Sequence, residues 1–275
     1  MIQVKNLTFG YKKKPMLFED LNMTFEYGSI YGLLGKNGAG KTTLLKLLSA
    51  LRFPQSGSIT IDGTGSKGRK PSYLERFFLV PEEFDFPSIK IKSFIDVYSP
   101  FYKDFSQEQF EFYMKEFKVP RDEKITNLSL GQKKKFLLSF AMACNTGILF
   151  MDEPTNGLDI PSKAIFRKLL VSIIDDKKTV IISTHQIKDI EEIIDHITII
   201  DNGKMRFSAG IDKIMSDLLF TGDADGGCAK KDILYKEETF GGTKFICRNN
   251  ARQDGPVDLE LLFNAVISGM EIKNL

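Results

Sequence analysis

Eight residues, Gly35-Lys36-Asn37-Gly38-Ala39-Gly40-Lys41-Thr42, limit what this chain can fold into more than any other stretch. Before them lies Ser29-Ile30-Tyr31-Gly32-Leu33-Leu34, a short apolar run of strand type. After them comes Thr43-Leu44-Leu45-Lys46-Leu47-Leu48, apolar at helical spacing. A strand, a glycine-rich turn and a helix start together build an anion cradle. Glycines let backbone N–H groups converge on phosphate oxygens, and the positive end of the helix dipole favours negative charge there. The spacing fits G-x-x-x-x-G-K-[ST], in which Lys41 reaches the outer phosphates of a nucleotide and the Thr42 hydroxyl ligates Mg²⁺.

With 275 residues the chain has room for one large α/β domain and a smaller appendage. A hydrophobic share of 42% and a charged share of 27% are ordinary for a globular protein. The net charge of +2 gives no electrostatic case for nucleic acid. Lysine runs at 12–14 and 133–135 read as solvated faces. Three widely spaced cysteines, Cys144, Cys228 and Cys247, suit a reducing compartment and no metal site. The longest apolar stretch, residues 136–144, is about half the ~20 residues a membrane span needs. Met1-Ile2-Gln3-Val4-Lys5 has no signal-peptide layout. A cytosolic protein that does not cross a membrane on its own is expected.

Residues 1–63 alternate in strand fashion, with turns at Glu26-Tyr27-Gly28 and Asp62-Gly63; residues 64–72 read as a polar loop. Ten of the 23 phenylalanines fall between Phe77 and Phe117, among charges at helical spacing. That composition predicts a helical subdomain with more aromatic surface than its own core needs. From 129 to 205 helices are expected at 130–144, 162–174 and 186–194, alternating with strands at 148–151, 179–183 and 197–200. Such alternation argues a largely parallel sheet with helices on both faces. Beyond Phe207 come a flexible break at residues 223–227, a hairpin around Gly241-Gly242, and a helical face of Leu259, Leu262, Phe263, Val266 and Ile267.

The run Ile148-Leu149-Phe150-Met151-Asp152-Glu153 is a buried strand ending in two acids. A parallel strand delivers its last residues to the ligand crevice. Asp152 is placed to hold Mg²⁺, and Glu153 to orient or deprotonate a water attacking the γ-phosphate. A second strand, Thr179-Val180-Ile181-Ile182-Ser183, runs into Thr184-His185. His185 is placed to hydrogen-bond the γ-phosphate and the water, whereas His196 has no such placement. Ser129 followed by Gln132 fits a capping box, so a helix starts there with free N–H groups and a positive end. That is a second anion-facing end in a chain with one phosphate loop, and it suggests service to a nucleotide held by another copy.

Together these parts resemble the ATP-binding subunit of an ABC transporter over residues 1–205. The resemblance matches the Walker A loop to residues 35–42 and the Walker B strand with its catalytic glutamate to 148–153. It matches the D-loop to Pro154-Thr155-Asn156-Gly157-Leu158-Asp159 and the switch histidine to His185. It implies that Tyr11 stacks on adenine and that residues 35–42 with Thr43 bind ATP. It further implies that Ser129, Gly131, Gln132 and Asp159 complete the site, and that Thr42, Glu82 and Asp152 hold Mg²⁺. The usual Leu-Ser-Gly-Gly-Gln reads Leu128-Ser129-Leu130-Gly131-Gln132 here, with the serine and second glycine kept. Where the family has a Q-loop glutamine, Val80-Pro81 is followed by Glu82. A carboxylate still ligates Mg²⁺ but donates no hydrogen bond as an amide does. Glutamate there looks like the exporter-type branch that works with ABC-2 permeases.

The implied fold is an α/β P-loop NTPase of ABC type. It has a mixed, mainly parallel sheet, an antiparallel β subdomain and a helical subdomain at about 73–145. A small α+β extension would occupy 206–275, after a cassette at 1–205. The implied function is an ATPase that forms an ATP-dependent homodimer and drives a separate membrane permease from the cytoplasmic face, with export favoured by Glu82. A groove at 73–120 would receive a cytoplasmic helix of that permease. The rival reading is a soluble ABC ATPase acting on ribosomes or DNA. Two cassettes in one chain, long coiled coils or a basic face would mark that rival, and the sequence has none of them. A nucleotide sensor without hydrolysis conflicts with the presence of Glu153 and His185. The tail is too small to bury a core of its own, so its helix is expected to pack on the cassette or on a second copy.

Overall fold

A computed structural model describes residues 1–222, 228–253 and 255–270, and the break expected at 223–227 lies outside them. Two strands, β1 (Ile2–Gly10) and β2 (Met16–Phe25), pair antiparallel. With β4 (Ser56–Ile61) and the two-residue β5 (Thr64–Gly65) they form a sheet in the order β2-β1-β4-β5. Its buried face carries Ile2, Val4, Leu7, Phe18, Leu21 and Phe25; strict alternation breaks after Val4, where the β1–β2 register shifts. The stretch expected as a polar loop holds β5 and one turn of helix, α2 (Pro71–Leu74), which starts at proline.

The central sheet joins β3 (Ile30–Leu34), β6 (Phe77–Val80), β7 (Ile148–Asp152), β8 (Thr179–Thr184), β9 (His196–Asp201) and β10 (Lys204–Gly210). The order is β10-β9-β3-β8-β7-β6, all parallel except β10 on β9. Every residue of β3, β7 and β8 is buried, as befits strands covered on both faces. Register sets the site: Leu34 lies opposite Thr184, and Asp152 opposite Ser183. The chain therefore leaves β3, β7 and β8 at one level and on one edge.

Helix α1 (Lys41–Leu48) buries Leu44, Leu45, Leu47 and Leu48 beneath that sheet. The helical subdomain contains α3 (Ile91–Tyr98), α4 (Gln107–Glu116) and the first part of α5 (Leu130–Ala143). Strand β6 interrupts the stretch expected to be helical and completes the main sheet instead. Most of the phenylalanines are core: Phe94, Phe110, Phe136 and Phe140 meet edge to face with centroids 5.2–6.5 Å apart. Phe101 is 72% exposed, and Val97 and Phe112 are exposed too.

Helix α6 (Ile160–Ser172) follows β7, but no α-helix forms at 186–194. A single 3₁₀ turn, Ile187–Asp189, and further turns take its place. Ile187, Ile190 and Ile194 sit at helical spacing, yet turns suffice to bury them. The path is also tied at its end, because Asp195 accepts from Ile30 N through Oδ2 at 2.8 Å and donates from its own N to Ile30 O at 2.9 Å.

After β10 come α7 (Ile211–Asp217), β11 (Leu218–Thr221), β12 (Ile233–Thr239), β13 (Gly242–Arg248) and α8 (Leu259–Ile267). The strands form a third sheet in the order β11-β13-β12. Cys228 and Cys247 are joined by a disulfide, a pairing that three spaced cysteines had argued against. Asp258 caps α8 by accepting from Leu261 N at 2.9 Å. Leu259, Leu261, Leu262, Ala265 and Val266 pack into one core with Ile187, Ile197 and Phe207. The tail helix thus packs on the body that carries the phosphate loop.

Deleting residues from 222 onward removes those side chains and leaves β11 without a partner. At roughly 1.5–3 kcal/mol per large buried side chain, partly recovered by relaxation, the expected drop in melting temperature is roughly 10 °C. Nucleotide binding should persist. Thermal unfolding with and without ATP checks it; an unchanged melting temperature would show that α8 contributes nothing to the body.

Candidate nucleotide site

At the edge where β3, β7 and β8 end lies an open cleft of about 720 Å³. Asn37, Gly38, Gly40, Lys41, Thr42 and Thr43 form its floor, and Tyr11, Glu82, Glu153 and His185 its sides. Two glycines of the loop are sterically required. Gly40 has φ +106°, and a Cβ there would sit 2.6 Å from the Phe18 ring. A Cβ on Gly35 would lie 2.5 Å from the Ile200 carbonyl oxygen. Lys36 and Ala39 belong to the same turn, closed by the bond from Ala39 N to Lys36 O at 3.1 Å.

Lys41 is buried, and its Nζ donates to Gly35 O at 2.7 Å and Lys36 O at 3.3 Å. Burial pushes its pKa down, while Glu153, Asp152 and Glu82 act in the opposite direction. The ammonium is therefore held inside the loop by carbonyls that a phosphate can replace. Tyr11 meets Phe9 edge to face at 5.1 Å, and its hydroxyl pairs with Thr43 Oγ1 at 3.0 Å. Arg52 lies 5.8 Å over the same ring, so the cleft wall already has a cation on an aromatic face.

Glu153 is buried and has φ +44°, an uncommon conformation for a residue other than glycine. Its Oε1 accepts from His185 N at 3.0 Å and pairs with His185 Nδ1 at 2.7 Å. Its Oε2 accepts from Thr184 Oγ1 at 2.9 Å. Glu153 N donates to Ser183 O at 2.9 Å. The strained residue is thus fixed from both its backbone and its carboxylate by the end of β8. His185 Nδ1 is engaged with Glu153, which leaves Nε2 as the ring nitrogen for a ligand.

The other candidates fall into two groups. Asp152 is buried behind the cleft, bonded to the Ser183 hydroxyl, and does not line the wall. Glu82 does line it, and its Oε1 accepts from Asn156 Nδ2 at 3.1 Å. Thr42, Glu82 and Asp152 offer one hydroxyl and two carboxylates. Mg²⁺ prefers that kind of set, one or two carboxylates with phosphates and water making up the rest. Among the described residues no group of three or more His, Cys, Asp or Glu side chains is placed to hold a metal ion.

Ser129, Gly131, Gln132 and Asp159 are not among the residues lining the cleft. Ser129 N donates to Gln132 Oε1 at 2.9 Å and Gln132 N to Ser129 Oγ at 3.2 Å, a complete capping box. Leu130, next to it, is 69% exposed. Asp159 caps α6 by accepting from Ser162 N at 2.8 Å and faces Lys135 at 3.6 Å. His196 packs against Tyr31 with ring centroids 4.9 Å apart.

Asn156, Gln186 and Lys134 escaped sequence reasoning. Gln186 Nε2 donates to Asn156 Oδ1 at 3.1 Å, so Glu82, Asn156 and Gln186 form one bonded row. Asn156 lies inside the matched 154–159 segment and Gln186 follows His185, so both were in view without a partner to give them meaning. Lys134 belongs to the run read as a solvated face; it is in fact 2% exposed.

Comparison with known proteins bears on this site. The model of the family described as ABC transporter matches residues 18–156. The ABC transporter ATP-binding protein YtrB of Bacillus subtilis is 28% identical over 80% of this chain and 75% of its own length. An uncharacterised ABC transporter ATP-binding protein of Methanocaldococcus jannaschii is 30% identical over 86% of this chain and 88% of its own. Nod factor export ATP-binding protein I of Burkholderia orbicola is 32% identical over 74% and 68%. A solved ATP-binding subunit of an ABC transporter superposes with a TM-score of 0.71 at 24% identity, covering 78% of this chain and 91% of its own. A dimeric ATP-binding cassette bound to ADP and Pi does so at 0.68 and 23%, covering 77% and 99%. These structures share the fold. On the family match and the relatives' identity, the chain belongs to the ABC transporter family as an ATP-binding, ATP-hydrolysing subunit.

Proposed function

We propose that two copies of this chain close around two ATP molecules, and that hydrolysis reopens them to drive a separate membrane permease. The observation that carries this reading is the separation of the two anion-facing elements. The cleft holds Lys41, Glu153 and His185, while the capped start of α5 lies outside it. A second copy related by two-fold symmetry would bring its own Ser129 and Gly131 to this cleft, and take this chain's in return.

Within each site Lys41 would release the loop carbonyls and bind the β- and γ-phosphates. Thr42 and Glu82, with Asp152 behind them, would hold Mg²⁺, which when bound neutralises phosphate charge. Glu153 would orient water in line with the γ-phosphorus and accept its proton as the bond to the leaving β-phosphate oxygen breaks. His185 would keep Glu153 in place through Nδ1 and face the γ-phosphate through Nε2. Asp159 would act from the D-loop, and Tyr11 would stack on adenine.

No helix among the described residues is long and apolar enough to cross a membrane. The exposed Val97, Phe101 and Phe112 fit a groove for a cytoplasmic helix of the permease. Glu82 and the likeness to a Nod factor export protein favour export. A location at the inner face of the membrane follows, and no nucleic acid is involved.

The test pairs two defects. Ser129→Arg should spare nucleotide binding by the monomer but remove ATP-driven dimerisation and turnover; Lys41→Ala should remove binding. A mixed dimer then has one intact composite site, so an equal mixture should recover roughly one quarter of wild-type activity, half the dimers with one of two sites. Normal turnover by monomeric Ser129→Arg protein would end the shared-site reading.

A further inference from the structure

We propose that Lys134 is a positioning residue for ATP hydrolysis, holding the 81–84 loop against the cleft and balancing the Glu82 carboxylate beside Asp152 and Glu153. The inference rests on the reading above that Glu82 faces the nucleotide.

Lys134 is 2% exposed, between the half-buried Lys133 and Lys135. Its Nζ donates to Pro81 O at 3.3 Å and lies 5.4 Å from the centre of the Phe84 ring. Pro81 and Phe84 bracket Glu82, so the ammonium grips that loop from both sides. Burying an ammonium is costly, and a methionine or leucine would fill the same space without the penalty. Burial pushes its pKa down to about 8, and the negative charges of Asp152, Glu82 and Glu153 work against that fall. Lys41, in the floor of the cleft, feels the charge of the same three carboxylates. Two ammonium groups thus offset three carboxylates, and a neutral glutamine at position 82 would leave only two to offset.

Placement adds a second reason. Lys134 is five residues beyond Ser129 on one helix, roughly 7–8 Å along its axis. A shift of the Ser129 end on meeting a phosphate would be passed through Lys134 to Pro81 and Glu82. From Glu82 the bonded row runs through Asn156 to Gln186, and Lys163 Nζ donates to Gln186 Oε1 at 3.4 Å. Lys134 therefore stands where the helix begun by Ser129 meets a row that reaches the residue after His185.

The experiment compares Lys134→Met, Glu82→Gln and the double variant of the full chain, measuring kcat and KM for ATP at several Mg²⁺ concentrations. Melting curves check folding. Lys134→Met is expected to lower kcat about tenfold with KM for ATP within about twofold, and to cost no more than about twofold in the Glu82→Gln background. Rescue by removing a charge is an outcome that loss of packing alone would not produce. An equal loss in both backgrounds, or no loss with Glu82 present, overturns the proposal. If Lys134→Met does not fold, Lys134→Gln keeps a donor for Pro81 without the charge and must show the same dependence on Glu82. The Glu82→Gln variant alone tests the reading beneath: unchanged Mg²⁺ dependence would remove Glu82 as a metal ligand, while the comparison of backgrounds still decides Lys134.

Discussion

Replacing Glu153 with glutamine is expected to lower ATP turnover by roughly 10²–10⁴-fold, while ATP binding survives and an ATP-bound dimer accumulates. The amide keeps the shape of the side chain but has neither the basicity nor the charge to take a proton from water. The surroundings tolerate it. Oε1 carries both bonds from His185, and an amide oxygen can accept them. The NH₂ group would then face Thr184 Oγ1, a hydroxyl that can turn from donor to acceptor. Loss of a negative charge also lessens repulsion of the γ-phosphate, so affinity should hold or rise. Size-exclusion chromatography with ATP and Mg²⁺, alongside a phosphate-release assay, reads both effects. A monomer with wild-type turnover would remove Glu153 from the chemistry. Glu153→Ala should behave differently, because it leaves three donors on Thr184 and His185 without their acceptor and should lower stability as well.

The difference between what was and was not legible in the sequence follows from the range of the interactions. Residues 35–42 and 148–153 were readable because each is a local pattern: a strand, its end, and the residues the end must present. Parallel pairing then places Leu34 beside Thr184 and Asp152 beside Ser183, so local readings combine into one edge. The region 186–194 misled because isoleucines at helical spacing are buried equally well by turns between strands whose ends are already fixed. Lys134 misled for a related reason. Three consecutive lysines on a helix point in three directions 100° apart, and composition does not say which one faces the 81–84 loop. The Cys228–Cys247 bond depends on β13 meeting a segment nineteen residues away, which spacing alone does not disclose.

Lys41→Ala is expected to weaken ATP binding by about 3–5 kcal/mol, at least roughly a hundredfold in Kd, with little loss of stability. The ammonium would make charge-assisted bonds to two phosphates, each worth about 1.5–3 kcal/mol. Without it, Glu153 and Glu82 on the cleft walls and Asp152 behind them would face a triphosphate with no cation at the floor. The fold should lose less. Lys41 is desolvated within the loop, so its removal also relieves a cost, and what the fold loses is its bonds to the Gly35 and Lys36 carbonyls. Calorimetric titration with ATP and a thermal melt of the free protein separate the two effects. A Kd within threefold of wild type, in a variant that melts normally, would mean that the loop binds phosphate through its backbone N–H groups and helix end alone. A large fall in melting temperature would instead make Lys41 a structural tie between Gly35 and α1. The difference matters, because a lysine held only by carbonyls that phosphate replaces should be spent on the ligand and not on the fold.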